Sequence, residues 1–417
     1  MDLTLSALWA NFVTWTGTLA GWLGGVWDAS PMAIVVYTLV VTHITIVSVT
    51  VYLHRYSAHR ALELNGVLKH SFRFWLWMTT GMLTKEWTAI HRKHHATCET
   101  EDDPHSPQIY GIGKVLWEGA ELYGDGINPE TLDRYGRGTP DDWMERNVYL
   151  RFKSGGITLM ALINIALLGP IGLTVWAVQM VWIPFFAAGI INGVGHYWGY
   201  RNFECPDAAR NISPWGILIG GEELHNNHHT YPNSAKLSVK WWEIDIGWFW
   251  IKLFGAFGLA KVLSTGPIVE RVPGRHVIDK DTVWAVLNDR FHVMAKYAER
   301  VVAPLVEQEY HRADAATRAL IKRAKALLVR EETLVDAAGR EDISKLVDLS
   351  PMLKTIYDLR RQLLAVWAKR GGDAEELLGA FKQWCLDAEA TGIHALTDFV
   401  TELKSYTVPT KLAVARS

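Results

Sequence analysis

Three short clusters of histidine constrain the fold of this 417-residue chain more than any other feature. They are His54-Arg-Tyr-Ser-Ala-His59, His91-Arg-Lys-His94-His95 and His225-Asn-Asn-His228-His229, and they hold half of the chain's 16 histidines. The neutral imidazole nitrogen is the commonest protein ligand for transition metals. Two of the clusters repeat the spacing i, i+3, i+4, which places three side chains on one face of a helix. We therefore expect a fold that brings three distant segments to a shared metal centre.

The composition predicts a membrane-embedded part joined to a polar part. Hydrophobic residues make up 49% of the chain and charged residues 21%, and there are 20 tryptophans, whose indole rings favour the membrane–water interface. The balance of 42 basic against 44 acidic residues gives no reason to expect nucleic acid as a partner. Cys98, Cys205 and Cys385 show no paired or metal-type spacing, so neither a disulfide framework nor a zinc ribbon is indicated.

Apolar runs predict four membrane spans arranged as two hairpins. Met32–Leu53 is the clearest span, because it has roughly the 20 apolar residues that a bilayer core requires. Leu3–Trp27 is uncharged but rich in Thr, Ser and Gly, so it is read either as a span or as an interfacial helix. A second pair covers about Ile157–Leu173 and Val175–Tyr197, with a turn near Gly169-Pro170. The N-terminus lacks the pattern of a cleaved secretory signal, so we treat the chain as mature from residue 1.

Basic residues beside the spans predict the orientation in the membrane. Arg55 and Arg60 follow the first hairpin, while Arg151, Lys153 and Arg201 flank the second. Under the positive-inside rule all of these flanks are cytoplasmic. That orientation puts the three histidine clusters on the same face of the membrane.

The remaining segments complete the predicted architecture. Residues 67–90 and 241–260 are apolar but interrupted by charges, which indicates amphipathic helices at the interface, and residues 99–147 indicate a polar loop with short helices. Residues beyond about 270 carry Lys-, Arg-, Glu- and Ala-rich helical patterns. We predict an all-α polytopic membrane protein. Its membrane domain, residues 1–265, carries a cytoplasmic helical cap with the histidine-rich di-metal site, and residues 266–417 form a cytoplasmic helical extension of unassigned role.

Eight clustered histidines exceed the ligand number of one ion but suit two. His196, near the cytoplasmic end of the last span, is a ninth candidate, because an ionisable residue in a membrane helix is a functional candidate by default. Asn192 lies one helical turn before it. All-imidazole ligation suits iron, copper, zinc and nickel, but two redox metals beside a lipid-facing pocket favour a di-iron site that directs O2 chemistry at a hydrocarbon.

These motifs resemble those of the membrane fatty-acid desaturases. The pattern HxxxxH, HxxHH and a second HxxHH after a hydrophobic hairpin is shared with that family. The resemblance to a bacterial form of the stearoyl-CoA-type Δ9 branch rests on further motifs across about residues 30–260: His91-Arg-Lys-His94-His95, Asp103-Pro104-His105, Asn192-x-x-x-His196 with Gly199-Tyr200-Arg201, and Gly221-Glu-Glu-Leu-His225-Asn-Asn-His228-His229-Thr-Tyr-Pro232.

The resemblance implies a ligand set and a reaction. The ligands of two iron ions would be His54, His59, His91, His94, His95, His196, His225, His228 and His229, with Asn192 acting through a water. No catalytic side chain beyond the metal centre is implied. With O2 as co-substrate, two adjacent hydrogens leave a saturated acyl chain, which gives a cis double bond and two waters. The acyl chain would be carried on phospholipid or on CoA.

Three further residues have two interpretations each. Trp87 matches a tunnel-lining tryptophan of the resembled family, although packing alone would also explain it. His43, in the middle of the first clear span, is either a tunnel or helix-packing residue or an ordinary core residue. His105 matches a motif of the family without being one of its iron ligands, so we expect it to hydrogen-bond.

The predicted partners are an acyl lipid or acyl-CoA, membrane lipid, and a separate electron donor such as a ferredoxin with its reductase, because no cytochrome b5-like haem segment is present. The predicted location is a bacterial inner membrane, with the metal site facing the cytoplasm. The tail could dock the donor, tether another enzyme or only stabilise the fold. The sequence leaves open the carrier, the regiochemistry and chain length, the donor and the oligomeric state.

Two other classes of protein share some of these features. Membrane di-iron hydroxylases use the same histidine architecture, but their motifs differ from HNNHHTYP and from GYR after the transmembrane histidine. A membrane metal-binding or transport protein would need polar ligands along a path across the bilayer, whereas these clusters collect at one face.

Overall fold

The structure is a computed structural model that describes residues 24–369 and 373–409, together with residues 7, 10, 11, 13–15 and 21. The chain divides into two compact units. We call Met1–Tyr200 with Ala209–Thr265 the first unit, and Arg201–Ala208 with Gly266–Ser417 the second unit. Leu3–Trp27, predicted as a span or interfacial helix, lies largely outside the described residues.

Helices build most of the first unit. In chain order they are α1 (Pro31–Val47), a π-helix (Ser48–Ala58), α2 (Gly66–Thr80), α3 (Thr84–Thr97), α4 (Pro107–Tyr110), α5 (Ile112–Asp125), α6 (Pro129–Tyr135), a π turn (Glu145–Tyr149), α7 (Gly155–Leu168), α8 (Gly172–Trp182), a second π-helix (Ile183–Ile191), α9 (His225–Thr230) and α10 (Ile246–Ala256).

Short strands join segments that are distant in sequence. In the first unit, β1 (Leu62–Leu64) pairs antiparallel with β4 (Ala260–Val262), and β2 (Trp215–Gly216) pairs in parallel with β3 (Ile244–Asp245). In the second unit, β5 (Glu270–Arg271) pairs antiparallel with β6 (Tyr406–Thr407). These pairs depart from the all-α prediction, but only by two or three residues each.

The helix that leads to the first histidine cluster is long and apolar. The side chain of Ser30 accepts a hydrogen bond from the Ala33 amide and Pro31 occupies the first turn, so the start of α1 is well defined. Pro31–Ala58 is long and apolar enough to cross a membrane. On α1, Met32, Val35, Val36, Leu39 and Val40 are each at least 50% exposed, which suits a helix surrounded by lipid.

The second apolar stretch, Gly155–His196, folds back on itself. It is 42 residues long and also meets the requirement for crossing a membrane. Trp176 Nε1 donates to the Ile157 carbonyl at 3.1 Å, although a continuous helix would put these residues roughly 28 Å apart. The reversal occurs at the 3₁₀ turn Gly169–Ile171, where Gly169 adopts a φ of 67° that favours glycine. The sequence predicted a turn at this position.

The segment predicted as one amphipathic helix over 67–90 is two helices. α2 ends at Gly81, which has the left-handed conformation of a helix C-cap, and α3 begins at Thr84. The second histidine cluster therefore lies in the C-terminal half of a separate helix. Close packing also places α5 against the second π-helix: a Cβ on Gly119 would lie 2.7 Å from the Ala188 carbonyl oxygen, and one on Gly189 would lie 2.4 Å from that of Leu116.

The second unit is a bundle of helices around an apolar core. Its core contains Leu353, Leu363, Phe399 and Val400, each no more than 1% exposed. Its helices are α11 (Lys280–Asn288), α12 (Arg290–Tyr297), a π turn (Ala298–Val302), α13 (Ala303–Arg312), α14 (Ala315–Ala324), α15 (Ala337–Leu349), α16 (Pro351–Ala368), α17 (Ala374–Ala390) and α18 (His394–Lys404).

Candidate metal centre

A π-helix explains the five-residue spacing of the first histidine cluster. On an α-helix, residues five apart point in directions about 140° apart. Here His54 lies within the π-helix Ser48–Ala58 and His59 follows it directly. The His59 amide donates to the His54 carbonyl at 3.1 Å, an i→i+5 bond that stacks the two residues one above the other. Both side chains can therefore face the same point.

The other two clusters divide their histidines between two groups. His91 and His95 join His54, His59 and His228, and the ligand nitrogens of these five lie within 4.8 Å of one another. His94, His196 and His229 form a second group, and His225 Nε2 lies 3.0 Å from His196 Nε2. On a helix, residues i and i+4 diverge less from each other than either does from i+3. The first and last histidines of each HxxHH cluster therefore belong to one group, and the middle histidine, His94 or His228, belongs to the other.

Imidazole nitrogens converge in both groups at the separations that metal ligands require. In the five-histidine group, His228 Nε2 lies 3.0 Å from His54 Nε2 and 2.9 Å from His95 Nε2. In the four-histidine group, His94 Nε2 and His196 Nε2 are 3.2 Å apart. Nitrogens bound to a metal at about 2.1 Å lie roughly 3 Å apart when they subtend a right angle. The nine nitrogens therefore fit two adjacent metal ions.

Three of these histidines have a carboxylate oxygen close to Nδ1, the ring nitrogen that does not face the other histidines. His94 Nδ1 lies 2.9 Å from Asp103 Oδ1, His54 Nδ1 lies 2.8 Å from Glu222 Oε1, and His196 Nδ1 lies 3.3 Å from Glu99 Oε1. A carboxylate at Nδ1 fixes the ring orientation and the tautomer, and so leaves Nε2 free to bind metal. These carboxylates were not predicted as partners of the histidines, although Asp103 and Glu222 stand in the motifs Asp103-Pro104-His105 and Gly221-Glu-Glu-Leu-His225.

Burial favours the neutral form of six of the nine candidate ligands. It lowers the pKa well below the ordinary histidine value, and neighbouring charged groups add to the shift, at His59, His91, His95, His225, His228 and His229. Burial opposes ionisation of Asp103, but the charge of His94 and its hydrogen bond lower the pKa of that carboxyl. Neutral imidazoles at these six histidines are the form in which histidine binds metal.

Cys98 lies beside the four-histidine group. Its Sγ is 4.0 Å from His94 Nε2 and 3.9 Å from His196 Nδ1. No metal role was predicted for this cysteine, because the three cysteines of the chain show no paired or metal-type spacing. It comes near the group because it follows His94 by one turn at the end of α3.

A buried arginine within the first histidine cluster hydrogen-bonds to the segments before and after the third histidine cluster. Arg55 is 1% exposed and contacts Asp245 through both terminal nitrogens, at 3.1 and 2.9 Å. The same nitrogens donate to the carbonyls of Ala235 and Gly220. Arg55, which the sequence analysis used as a basic flank of the first hairpin, is therefore a buried ionic residue. Arg201, whose side chain is 4% exposed, is a second flanking charge that is buried.

An apolar cavity of about 240 Å³ begins at the metal centre. His54, His91 and His225 line one part of its wall, and Asn192 lies beside them. Aliphatic side chains of the second π-helix continue the wall away from the histidines, among them Ile183, Ala187 and Ile191. The cavity is therefore shaped to hold an apolar chain against the metal centre.

The remaining predicted residues lie in different places. Trp87 lines the cavity and stacks on His91, with ring centroids 4.8 Å apart. His43 is not among the cavity-lining side chains of the described residues, and its Nε2 accepts a hydrogen bond from Trp250 at 2.9 Å. His105 lines the cavity next to His94; burial lowers its pKa to about 3, and its Nδ1 has no hydrogen-bond partner among the described residues.

Comparison with protein families gives two matches in different parts of the chain. The fatty acid desaturase family model matches residues 29–248, which is more than half of the chain. A transposase family model matches residues 284–411, less than a third of the chain. Within the described residues, the groups of three or more potential metal ligands all lie between His54 and His229.

Several curated relatives are similar to about half of this chain. The chain is 28% identical to the Delta-9 acyl-lipid desaturase 1 of Arabidopsis thaliana, in an alignment that covers 56% of this chain and 74% of that protein. It is 30% identical to the sn-2 palmitoyl-lipid 9-desaturase of Nostoc sp., over 51% of this chain and 75% of that protein. It is also 30% identical to the acyl-CoA 5-desaturase of Anemone leveillei, over 50% of this chain and 64% of that protein.

Proposed function

This chain belongs to the fatty acid desaturase family, and from that premise we propose that it places a cis double bond at the Δ9 position of a saturated acyl chain. It is an oxidoreductase that acts on fatty acyl groups. The observation that carries the finer proposal is the convergence of nine histidines at one end of an apolar cavity. The names of the relatives from Arabidopsis thaliana and Nostoc sp. support the Δ9 position.

We propose two iron ions as the cofactor. His54, His59, His91, His95 and His228 would hold one ion. His94, His196, His225 and His229 would hold the other, with Asn192 acting through a water. Imidazole ligands suit several transition metals, and iron is one of those that can carry out redox chemistry.

When bound, the irons would supply the O2 chemistry that removes one hydrogen from each of two adjacent carbons. The overall reaction balances when –CH2–CH2–, O2, two electrons and two protons give –CH=CH– and two waters. Two electrons per turnover must therefore come from a donor. We propose a separate one, such as a ferredoxin with its reductase.

The side chains of this protein would position the acyl chain and exclude water. Ile183, Ala187 and Ile191 form an apolar wall that holds methylene groups. Trp87 lies flat against His91 at the metal end, so a chain passing there is confined beside the histidines. A reacting carbon held close to the metal centre reacts far faster than one that diffuses freely. An apolar wall also limits the access of water to the reaction.

The acyl carrier in this proposal is either phospholipid or CoA. The names of relatives point both ways, because those from Arabidopsis thaliana and Nostoc sp. are acyl-lipid and palmitoyl-lipid enzymes while that from Anemone leveillei is an acyl-CoA enzyme. We propose that the protein lies in a bacterial inner membrane with the metal centre on the cytoplasmic side. The two apolar segments Pro31–Ala58 and Gly155–His196 support a membrane location.

Expression in a host that lacks the double bond tests the proposed function. The full-length chain is produced together with a competent electron donor, and acyl chains are analysed by mass spectrometry with localisation of the double bond. We expect monounsaturated acyl chains with the bond at Δ9. Hydroxylated chains without unsaturation would favour a di-iron hydroxylase, and the absence of both products from an iron-loaded protein would refute the proposal.

Lipid-class analysis over time identifies the carrier. If new unsaturation is seen first in intact phospholipid, the carrier is phospholipid. If it is seen first in the acyl-CoA pool, the carrier is CoA.

A further inference from the structure

One buried amide interrupts the aliphatic wall of the cavity. Gln179 lines the cavity and is 2% exposed. Its Nε2 has no hydrogen-bond partner among the described residues. A buried amide without a partner is unfavourable, so a side chain of this kind in an apolar wall needs an explanation.

A chain of hydrogen bonds fixes the position of this amide. Tyr37 Oη donates to Asn164 Oδ1 at 3.0 Å, and Asn164 Nδ2 donates to Gln179 Oε1 at 3.1 Å. Three apolar helices are thereby linked, as polar side chains often do within membranes. Rotating both amides by 180° would exchange donors and acceptors, but it would still leave one polar atom of Gln179 without a partner.

Gln179 lies at the end of the cavity away from the metal centre. It precedes Asn192 by 13 residues along the same helical segment, which corresponds to about three helical turns. The wall residues Ile183, Ala187 and Ile191 lie between the two. A chain that runs from the histidines along this wall therefore meets the amide last.

Resting on the proposed function, we propose that Gln179 sets the length of the acyl chain that the cavity accepts. The terminal methyl group of a preferred substrate stops before the amide, which leaves room for a water on its free polar atom. A longer chain displaces that water and buries the amide against a methyl group. Leaving a buried polar group unsatisfied disfavours the longer chain by about tenfold.

The cavity offers a matched set of variants. Gln179→Leu removes the polar atoms at similar size, while Gln179→Glu keeps a polar end and an oxygen that can face Asn164. Met180→Leu changes the next wall residue from one apolar side chain to another. Each full-length variant is given a mixture of saturated acyl chains that differ in length by two carbons. The yield of each unsaturated product is then quantified by mass spectrometry.

We expect Gln179→Leu to raise the yield from the first disfavoured longer chain, relative to the preferred chain, by about tenfold. Gln179→Glu and Met180→Leu should leave that ratio within about twofold. An unchanged ratio in an active Gln179→Leu protein would overturn the inference. So would an equal shift in Met180→Leu, because wall shape rather than amide polarity would then set the length.

The native protein provides a test that does not depend on the folding of a variant. A saturated chain that ends in a hydroxyl group, and is long enough to reach Gln179, can hydrogen-bond to the amide. We expect it to be desaturated about tenfold better than the methyl-ended chain of equal length. Equal rates for the two chains would contradict the inference.

These experiments separate this inference from the proposed function. If the native protein makes no unsaturated chains with a competent donor, the proposed function is wrong. If it makes them, and neither the variants nor the hydroxyl-ended chain alter the length preference, only the role of Gln179 is wrong.

Discussion

The two units of this protein bury polar side chains in different ways. In the first unit, histidines of all three clusters, Arg55 and Glu222 are buried, and His225 Nδ1 and His228 Nδ1 are left without partners among the described residues. In the second unit the core is aliphatic and aromatic, and ion pairs such as Arg323 with Asp342 lie at the surface. Arg360 is an exception there, since it is buried and donates to the carbonyls of Val329 and Arg330.

This difference shows what each unit requires in order to fold. The second unit satisfies its buried side chains largely through apolar packing, which is the usual source of stability. The first unit brings together imidazoles whose nitrogens converge as metal ligands do, so we expect its stability and its chemistry to depend on the proposed cofactor. We therefore expect substitutions in the first unit to affect iron content and activity, and substitutions in the second unit to affect stability alone.

The largest expected effect comes from His228→Ala. His228 Nε2 lies within 3.0 Å of the Nε2 atoms of both His54 and His95, so its removal opens the five-histidine group. We expect the iron content to fall from about two per chain to about one, and product formation to fall by at least about 10²-fold. His311→Ala, at an exposed histidine of the second unit, is the control and should change neither value. Full activity in His228→Ala would remove the third cluster from the metal centre.

A smaller effect is expected from breaking the buried pair between Arg55 and Asp245. Arg55→Met keeps most of the side-chain volume but leaves a buried carboxylate unpaired, which should lower the free energy of unfolding by about 3–5 kcal/mol. Arg323→Met breaks the exposed pair with Asp342 and should lower it by about 0–1 kcal/mol. Denaturant unfolding of the detergent-solubilised protein gives both values. Equal losses would show that burial does not distinguish the two pairs.

Leu346→Ala tests the second unit by itself. Leu346 is fully buried, so its truncation should lower the stability of that unit by about 2–5 kcal/mol through lost packing and a residual cavity. Iron content and the activity of the remaining folded protein should match those of the native protein. These are followed by unfolding, metal analysis and product yield per folded chain. Loss of iron in this variant would mean that the two units are not independent in this respect.

Asp103→Asn is expected to have the mildest effect. It replaces the carboxylate that holds His94 Nδ1 with a weaker acceptor of the same shape, so iron affinity should fall by about 10–100-fold. Competition with a chelator measures that affinity. Asp102→Asn, at the exposed neighbouring position, should leave the affinity unchanged. If both variants retain native affinity, Asp103 serves only the local fold.

Much of the site could be predicted because its residue types are unusual. The histidine clusters and His196 are distinctive in an apolar chain, and glycine with proline marks the turn of the second hairpin at Gly169–Ile171. The π-helix Ser48–Ala58 could not be predicted, because an apolar run looks the same whether its hydrogen bonds span four or five residues. The five-residue spacing of His54 and His59 was the available signal, and it was not used.

Long-range contacts account for the rest of what the sequence did not predict. Arg55 and Asp245 are 190 residues apart, so nothing local marks Arg55 as a buried ionic residue rather than a flanking charge. The division of each HxxHH cluster between two groups depends on where the other helices lie. Cys98 and Glu99 approach His196 only because the end of α3 meets the end of the second apolar stretch.

The central claim is that nine histidines hold two iron ions at one end of an acyl cavity. Metal analysis of the purified full-length protein, combined with Mössbauer spectroscopy after growth on ⁵⁷Fe, tests it most directly. We predict about two irons per chain in nitrogen-rich sites. A single iron per chain, or zinc in place of iron in an active protein, would contradict the account.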